Sequence, residues 1–315
     1  MLPHLLRLRP LVPFAVLAAV AVALWLAAGR FLDLARTLET LEQLDRPLTA
    51  GALACGLLLY GLKAIRWRWY MGVSGYPLTW RSAMAVYLAG QWFTLARSAD
   101  ISRVVIAMRF GIPWAVALAV GAAAGVTDFA GMAWTGTLGS LWHPEYLLPL
   151  GALSAITAAL VWGIGGDGPL GRMVEAELPA KYGPAVQIGR RLLRGKPLAV
   201  GMTISVLDAL AGAGVLLCSA LAVGAGDVGL ARAMLVYALS QVAGGLSMIP
   251  MGLGVVEGSG VLLLAAGGVD PSVAAAILVL FRLATLGAAM LLGGSGLLAL
   301  RLLRLPPARV LSAES

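Results

Sequence analysis

Apolar residues run along this chain in stretches far longer than the buried stripe of a soluble helix. A helix that crosses a bilayer needs roughly 20 predominantly apolar residues, and six stretches meet that template: 11–28, 48–65, 112–138, 146–165, 198–223 and 273–300. Between them lie two apolar but interrupted stretches, 80–110 and 230–269, each with polar or glycine-rich sequence in its middle. The pattern predicts an all-α, polytopic integral membrane protein, with about six full spans plus two interrupted or re-entrant hairpins, forming a single transmembrane domain over 1–315. The first run follows a basic N-terminus and exceeds the roughly 7 to 15 apolar residues of a signal-peptide core, so it is expected to stay as a first helix with its N-terminus inside.

Lys and Arg set the expected orientation. The segment LKAIRWRWY (62–70), the loop 166–197 and the tail beyond residue 300 are basic, whereas HPEY (143–146) and GAGDVG (224–229) hold no Lys or Arg. The basic segments are therefore expected in the cytoplasm, together with both termini, as in a bacterial plasma-membrane protein. Counting crossings then makes 80–110 enter and leave from the inside and 230–269 from the outside. The apolar run before Arg97 could cover about 25 Å as a helix, so a full crossing stays open there. The aromatic cluster Trp67, Trp69, Tyr70, Tyr76 and Trp80 is expected at the cytoplasmic interface.

The two interrupted stretches resemble each other. Ala83, Met84, Val86, Tyr87 and Gln91 recur 150 positions later as Ala233, Met234, Val236, Tyr237 and Gln241. In a register of 157, Asp100 pairs with Glu257, Gly111 with Gly268, Val116 with Val273 and Ala117 with Ala274. Composition does not supply a shared Tyr, Gln, Met and acid. The duplication covers about 80–138 and 230–300, and copies starting from opposite sides form inverted repeats, a plan in which transporters bind substrate at the repeat interface.

Composition narrows the function. With 60% hydrophobic and 12% charged residues and a mean hydropathy of +0.90, little sequence remains for a water-soluble catalytic domain of about 100 residues. The net charge of +8 reads as cytoplasmic loops, and no nucleic acid is expected as a partner. Cys55 and Cys218 match no metal or redox spacing and are expected to serve packing. No metal and no cofactor is expected.

A charge at the bilayer centre costs about 2.5 to 3.5 kcal/mol on insertion scales, so each one inside an apolar stretch calls for a reason. Arg97, Asp100 and Arg103, three residues apart, would stack as a plus, minus, plus ladder on one helix face. Planar, bidentate guanidinium groups suit phosphate, although Arg97 and Arg103 could equally reach the headgroups by snorkelling. In IPMGLGVVEGSG (249–260), Pro250, Gly252 and Gly254 break helix and Glu257 follows at the start of a new one. Arg282 is the expected ion-pair partner of Glu257, either as a structural pair or as part of a substrate or proton site. Asp128 and Asp208 are each expected to pair with an Arg or to hold a proton. Gly121 and Gly125 read as a helix-packing GxxxG. No nucleophile, base and orienter stand together, and no enzymatic activity is expected.

Residues 62–111, the segment IPMGLGVVEGSG and LVLFRLATL (278–286) resemble the transmembrane region of lysylphosphatidylglycerol synthase and flippase proteins, whose stand-alone relatives form a family of lipid transporters. The likeness covers about residues 10–300. The family's P-G-G-x-G-x-x-E falls on Pro250, Gly252, Gly254 and Glu257, with Met251 in place of a glycine. Its P-G-R-x-G-D-x-x-R falls on Arg97, Asp100 and Arg103, with Leu95, Ala96 and Ala99 in place of the Pro and the two Gly. An Arg common in the family after the first motif would lie at Gly125, and Asp128 stands one turn on. The resemblance implies inverted repeats and movement of phospholipid or polyprenyl-phosphate lipids between leaflets, with a phosphate-bearing membrane lipid as partner. It does not imply aminoacyl transfer, which belongs to a soluble C-terminal domain, whereas about a dozen residues follow Leu303. The alternative is a membrane-embedded enzyme or an assembly partner in lipid-linked glycan or envelope synthesis. A homo-oligomer and a lipid-modifying enzyme partner are both compatible with the sequence.

Overall fold

The computed structural model describes residues 33–93, 99–165, 172–173, 177, 179–247 and 249–302, with the backbone alone for Leu34, Ala99, Asp100 and Pro250. Every regular element among them is helical. In chain order these are α1 (Leu34–Glu42), α2 (Arg46–Val73), α3 (Trp80–Gln91), α4 (Ala99–Met108), α5 (Trp114–Ser140), α6 (Leu147–Gly165), α7 (Gly183–Leu192), α8 (Gly195–Ala222), α9 (Leu230–Leu246), α10 (Val255–Ala266), α11 (Pro271–Arg282) and α12 (Ala288–Leu302). A π-helical turn, Leu283–Gly287, joins the last two into one 32-residue rod. That rod, α2, α5, α8 and Pro144–Gly165, which contains α6, are each long and apolar enough to cross a membrane. The protein is a polytopic membrane protein. The expected span 11–28 lies outside the described residues.

Helix starts follow local chemistry. Asp45 accepts a hydrogen bond from the Leu48 amide with Pro47 in the first turn of α2. Thr79 accepts from Ser82 at α3, and Asp270 accepts from the amides of Ser272 and Val273 at α11, again beside a proline. Each cap satisfies amides that lack an intrahelical partner. Between the long helices, 80–110 and 230–269 form the pairs α3/α4 and α9/α10. Their members have 12, 10, 17 and 12 residues, or about 15 to 25 Å of rise, short of a hydrocarbon core about 30 Å thick.

Two cores organise the packing. One joins α8, α9, α10 and α11 around Leu216, Tyr237, Leu264, Ile277 and Phe281. The other joins α2, α3, α5 and α7 around Trp67, Tyr70, Met71, Tyr87, Ile112 and Leu192. Helix α2 belongs to both, with Ala52 in the first core and Ala64 in the second, and it packs along α8. Around this interior, Leu57, Leu58, Leu148, Trp162, Leu262 and Leu291 are exposed, as expected where lipid tails are the solvent.

Three expectations change. Helix α2 runs to Val73 rather than ending near residue 65, so LKAIRWRWY is helix and not the start of a loop. Trp67 and Tyr70 are buried in the second core rather than lying at an interface, while Trp80 is exposed with the Arg68 guanidinium over its ring. Among the described residues the glycines that seat α5 are not Gly121 and Gly125, beside which a side chain would meet none of them within 4 Å. Gly131 does that work: a Cβ there would lie 2.7 Å from the backbone of Ser205 on α8.

Candidate functional site

Between α9 and α10 the chain reverses through Pro250–Gly252, a single 3-10 turn, with Met251 at φ 58°, Gly252 at φ 61° and Gly254 at φ 83°. Such angles favour glycine. Met251 is the non-glycine residue held in this left-handed region among the described residues. Glu257 then occupies the first turn of α10 and works in two directions. Its Oε2 accepts from the Gly254 amide at 2.7 Å, closing the helix start. Its Oε1 accepts from Nε of Arg282 at 2.5 Å.

Arg282 comes from the last turn of α11, and its Nη2 donates to the Met251 carbonyl at 3.1 Å. One guanidinium thus ties the end of α11 to both sides of the hairpin tip. The π-helical turn begins at the next residue, Leu283, and such turns shift the carbonyl register and recur at functional positions. Gly56 of α2 abuts the Ala284 carbonyl there and leaves no room for a Cβ. The Arg282 and Glu257 side chains are 13% and 30% exposed, so the pair is screened but reachable.

A second cluster sits near the middle of α2, α5 and α8. Lys63 Nζ lies 2.9 Å from Asp128 and 3.3 Å from Asp208, and Arg66 Nη1 lies 2.6 Å from Asp128 and 3.3 Å from Asp208. Arg66 also donates to the Ser205 hydroxyl. Two cations and two acids, each touching both of the opposite sign, make a closed neutral quartet. Such closure is what a low-dielectric interior demands, because an unpaired charge there is expensive. Arg66 and Asp208 are sealed at 2% and 1% exposure, whereas Asp128 keeps 23%.

The residues singled out from sequence are distributed as follows. Glu257, Arg282, Gly252 and Gly254 meet at one tip, where Pro250 contributes backbone. Asp128 and Asp208 meet in the quartet. Arg103 lies with its guanidinium 4.4 Å from the centre of the Tyr87 ring. Arg97 lies outside the described residues, and Asp100 is placed only as the second residue of α4. Sequence reasoning missed Lys63 and Arg66, which it placed in a basic segment expected in the cytoplasm. Their three-residue spacing on one helix and the two unmatched acids at the centres of α5 and α8 were the available signal.

A search of curated proteins returns no match. The family description "Lysylphosphatidylglycerol synthase TM region" matches residues 13–293, which include both hairpins, the quartet and the Glu257–Arg282 pair. The chain belongs to the family of lysylphosphatidylglycerol synthase transmembrane regions.

Proposed function

We propose that this protein moves a phosphate-bearing lipid, a phospholipid or a polyprenyl phosphate, between the leaflets of a bacterial plasma membrane, with no bond made or broken. The observation that carries this reading is Arg282 at the broken hairpin. An arginine carries five N–H donors in a planar fork. Here Nε is committed to Glu257 and Nη2 to Met251, which holds the plane fixed and leaves the Nη1 edge for an incoming phosphate oxygen. Glu257 orients the fork, and the 30% exposure of its side chain provides a way in. The two hairpins are read as inverted repeats that open alternately to the two leaflets. The basic loop 166–197 and both termini would face the cytoplasm.

The test is leaflet exposure of fluorescent phosphatidylglycerol and of a polyprenyl-phosphate analogue in proteoliposomes. Wild type should move at least one of them, and folded Arg282→Gln should not. A folded wild type that moves neither, with or without a proton gradient, would refute transport and favour an intramembrane enzyme or an assembly partner.

A further inference from the structure

One stripe of α2 connects the two hairpins. Gly56, Tyr60, Lys63 and Trp67 are spaced four, three and four residues apart, which puts them on a single helical face. At one end Gly56 backs onto the Ala284 carbonyl, two residues beyond Arg282. At the other, the Trp67 ring is 6.2 Å from the Tyr87 ring, over which Arg103 lies. The stripe spans about 16 Å of rise. Tyr60 is buried between these ends. Lys63 is the cation of this stripe, between its end beside the Arg282 turn and its end beside the Tyr87 ring that carries Arg103.

We infer that Lys63 is an intermediate anion stop for the lipid phosphate on its way between Arg282 and Arg103, and that Asp128 is the plug the phosphate displaces. This rests on the transport reading above. The quartet is built so that Lys63 can leave it. Arg66 touches both acids, at 2.6 and 3.3 Å, so each carboxylate keeps a cation when the ammonium turns away. Lys63 and Asp128 are also the two accessible members, at 13% and 23% exposure, while Arg66 and Asp208 are closed off. Next to Asp128 the wall of α5 is open among the described residues, because a side chain at Gly125 or Gly121, one and two turns back, would meet none of their atoms within 4 Å. A point charge on a flexible four-carbon stem suits a transient contact better than a rigid fork. The site would take a phosphate oxygen at Lys63 Nζ in place of Asp128 Oδ2.

Binding and movement are measured on the same full-length chain. Dihexanoyl phosphatidic acid, dihexanoylglycerol and inorganic phosphate are titrated calorimetrically into detergent-solubilised wild type and Asp128→Asn, and leaflet exchange is followed in proteoliposomes. Removing the plug should tighten phosphatidic acid binding on the order of tenfold and leave the phosphate-free glycerol lipid unbound. The pair Lys63→Gln/Asp128→Asn preserves charge balance, and it should slow lipid movement by about tenfold or more while eluting and melting as a folded protein. If that pair fails to fold, the Asp128→Asn titration decides alone. Unchanged affinity in Asp128→Asn, or wild-type movement in the folded pair, would overturn the assignment of Lys63. Tightening for inorganic phosphate but not for phosphatidic acid would overturn the lipid as its ligand. A wild type that moves no lipid refutes transport itself, and the binding arm still reports on Lys63.

Discussion

Replacing Asp208 with Asn removes one acid from a neutral quartet and leaves Lys63 and Arg66 facing Asp128 alone. The lost carboxylate lies 3.3 Å from Lys63 and 3.3 Å from Arg66. Each attraction amounts to about 5 kcal/mol at an effective dielectric of about 20. Against this stand the relief of repulsion between the two acids and of the desolvation of a side chain that is 1% exposed. The net effect of breaking a buried ion pair is a loss of about 3 to 5 kcal/mol, with the lower end favoured because the Asn amide can still accept from Arg66. The reverse comparison is sharper. Arg66→Met with Asp208→Leu removes one charge of each sign and should recover most of the loss, since apolar replacement of a whole buried pair is close to neutral or favourable by about 1 to 4 kcal/mol. Reversible unfolding in mixed detergent, followed by tryptophan fluorescence, gives both numbers. A double variant as unstable as the sum of its single variants, or an Asp208→Asn indistinguishable from wild type, would show that the quartet is not an electrostatic unit.

Other consequences are equally direct. Gly131→Val should lose about 1 to 3 kcal/mol by overpacking against Ser205, whereas Gly125→Ala, which meets none of the described residues, should be neutral or gain up to about 1 kcal/mol of helix propensity; the same unfolding assay compares them. Met251→Gly should hold or slightly raise stability by releasing a left-handed backbone at φ 58°, and Met251→Val should lose about 1 to 2 kcal/mol there. Glu257→Gln keeps an oxygen for the Gly254 amide but removes the charge that orients Arg282, so it should fold and fail in lipid exchange.

The five described spans and the broken hairpins were legible because long apolar runs and their interruptions report directly on which backbone groups can sit in lipid. The Glu257–Arg282 pair was legible for the same reason: two opposite charges in apolar sequence must find each other, and they do at 2.5 Å. Lys63 and Arg66 were hidden by their company. A run that alternates basic and aromatic residues has the composition of a membrane-proximal loop, and only the length of α2 and its packing on α8 turn those two cations inward. The same rotation buries Trp67 and Tyr70. Gly121 and Gly125 seat none of the described helices, because GxxxG names a face of a helix and not its neighbour. The face of α5 that meets α8 is set instead by Gly131, while Asp128, three residues earlier, turns to Lys63 and Arg66 of α2.

The most direct test of the central claim is the initial rate at which a fluorescent phosphatidylglycerol changes leaflets in proteoliposomes holding wild type or Arg282→Gln at equal reconstituted density, with a fluorescent diacylglycerol as the phosphate-free control. The account predicts protein-dependent exchange of the phosphate lipid, its loss in the variant, and a control lipid that behaves alike with both proteins. Equal exchange of phosphatidylglycerol by wild type and a folded Arg282→Gln would contradict it.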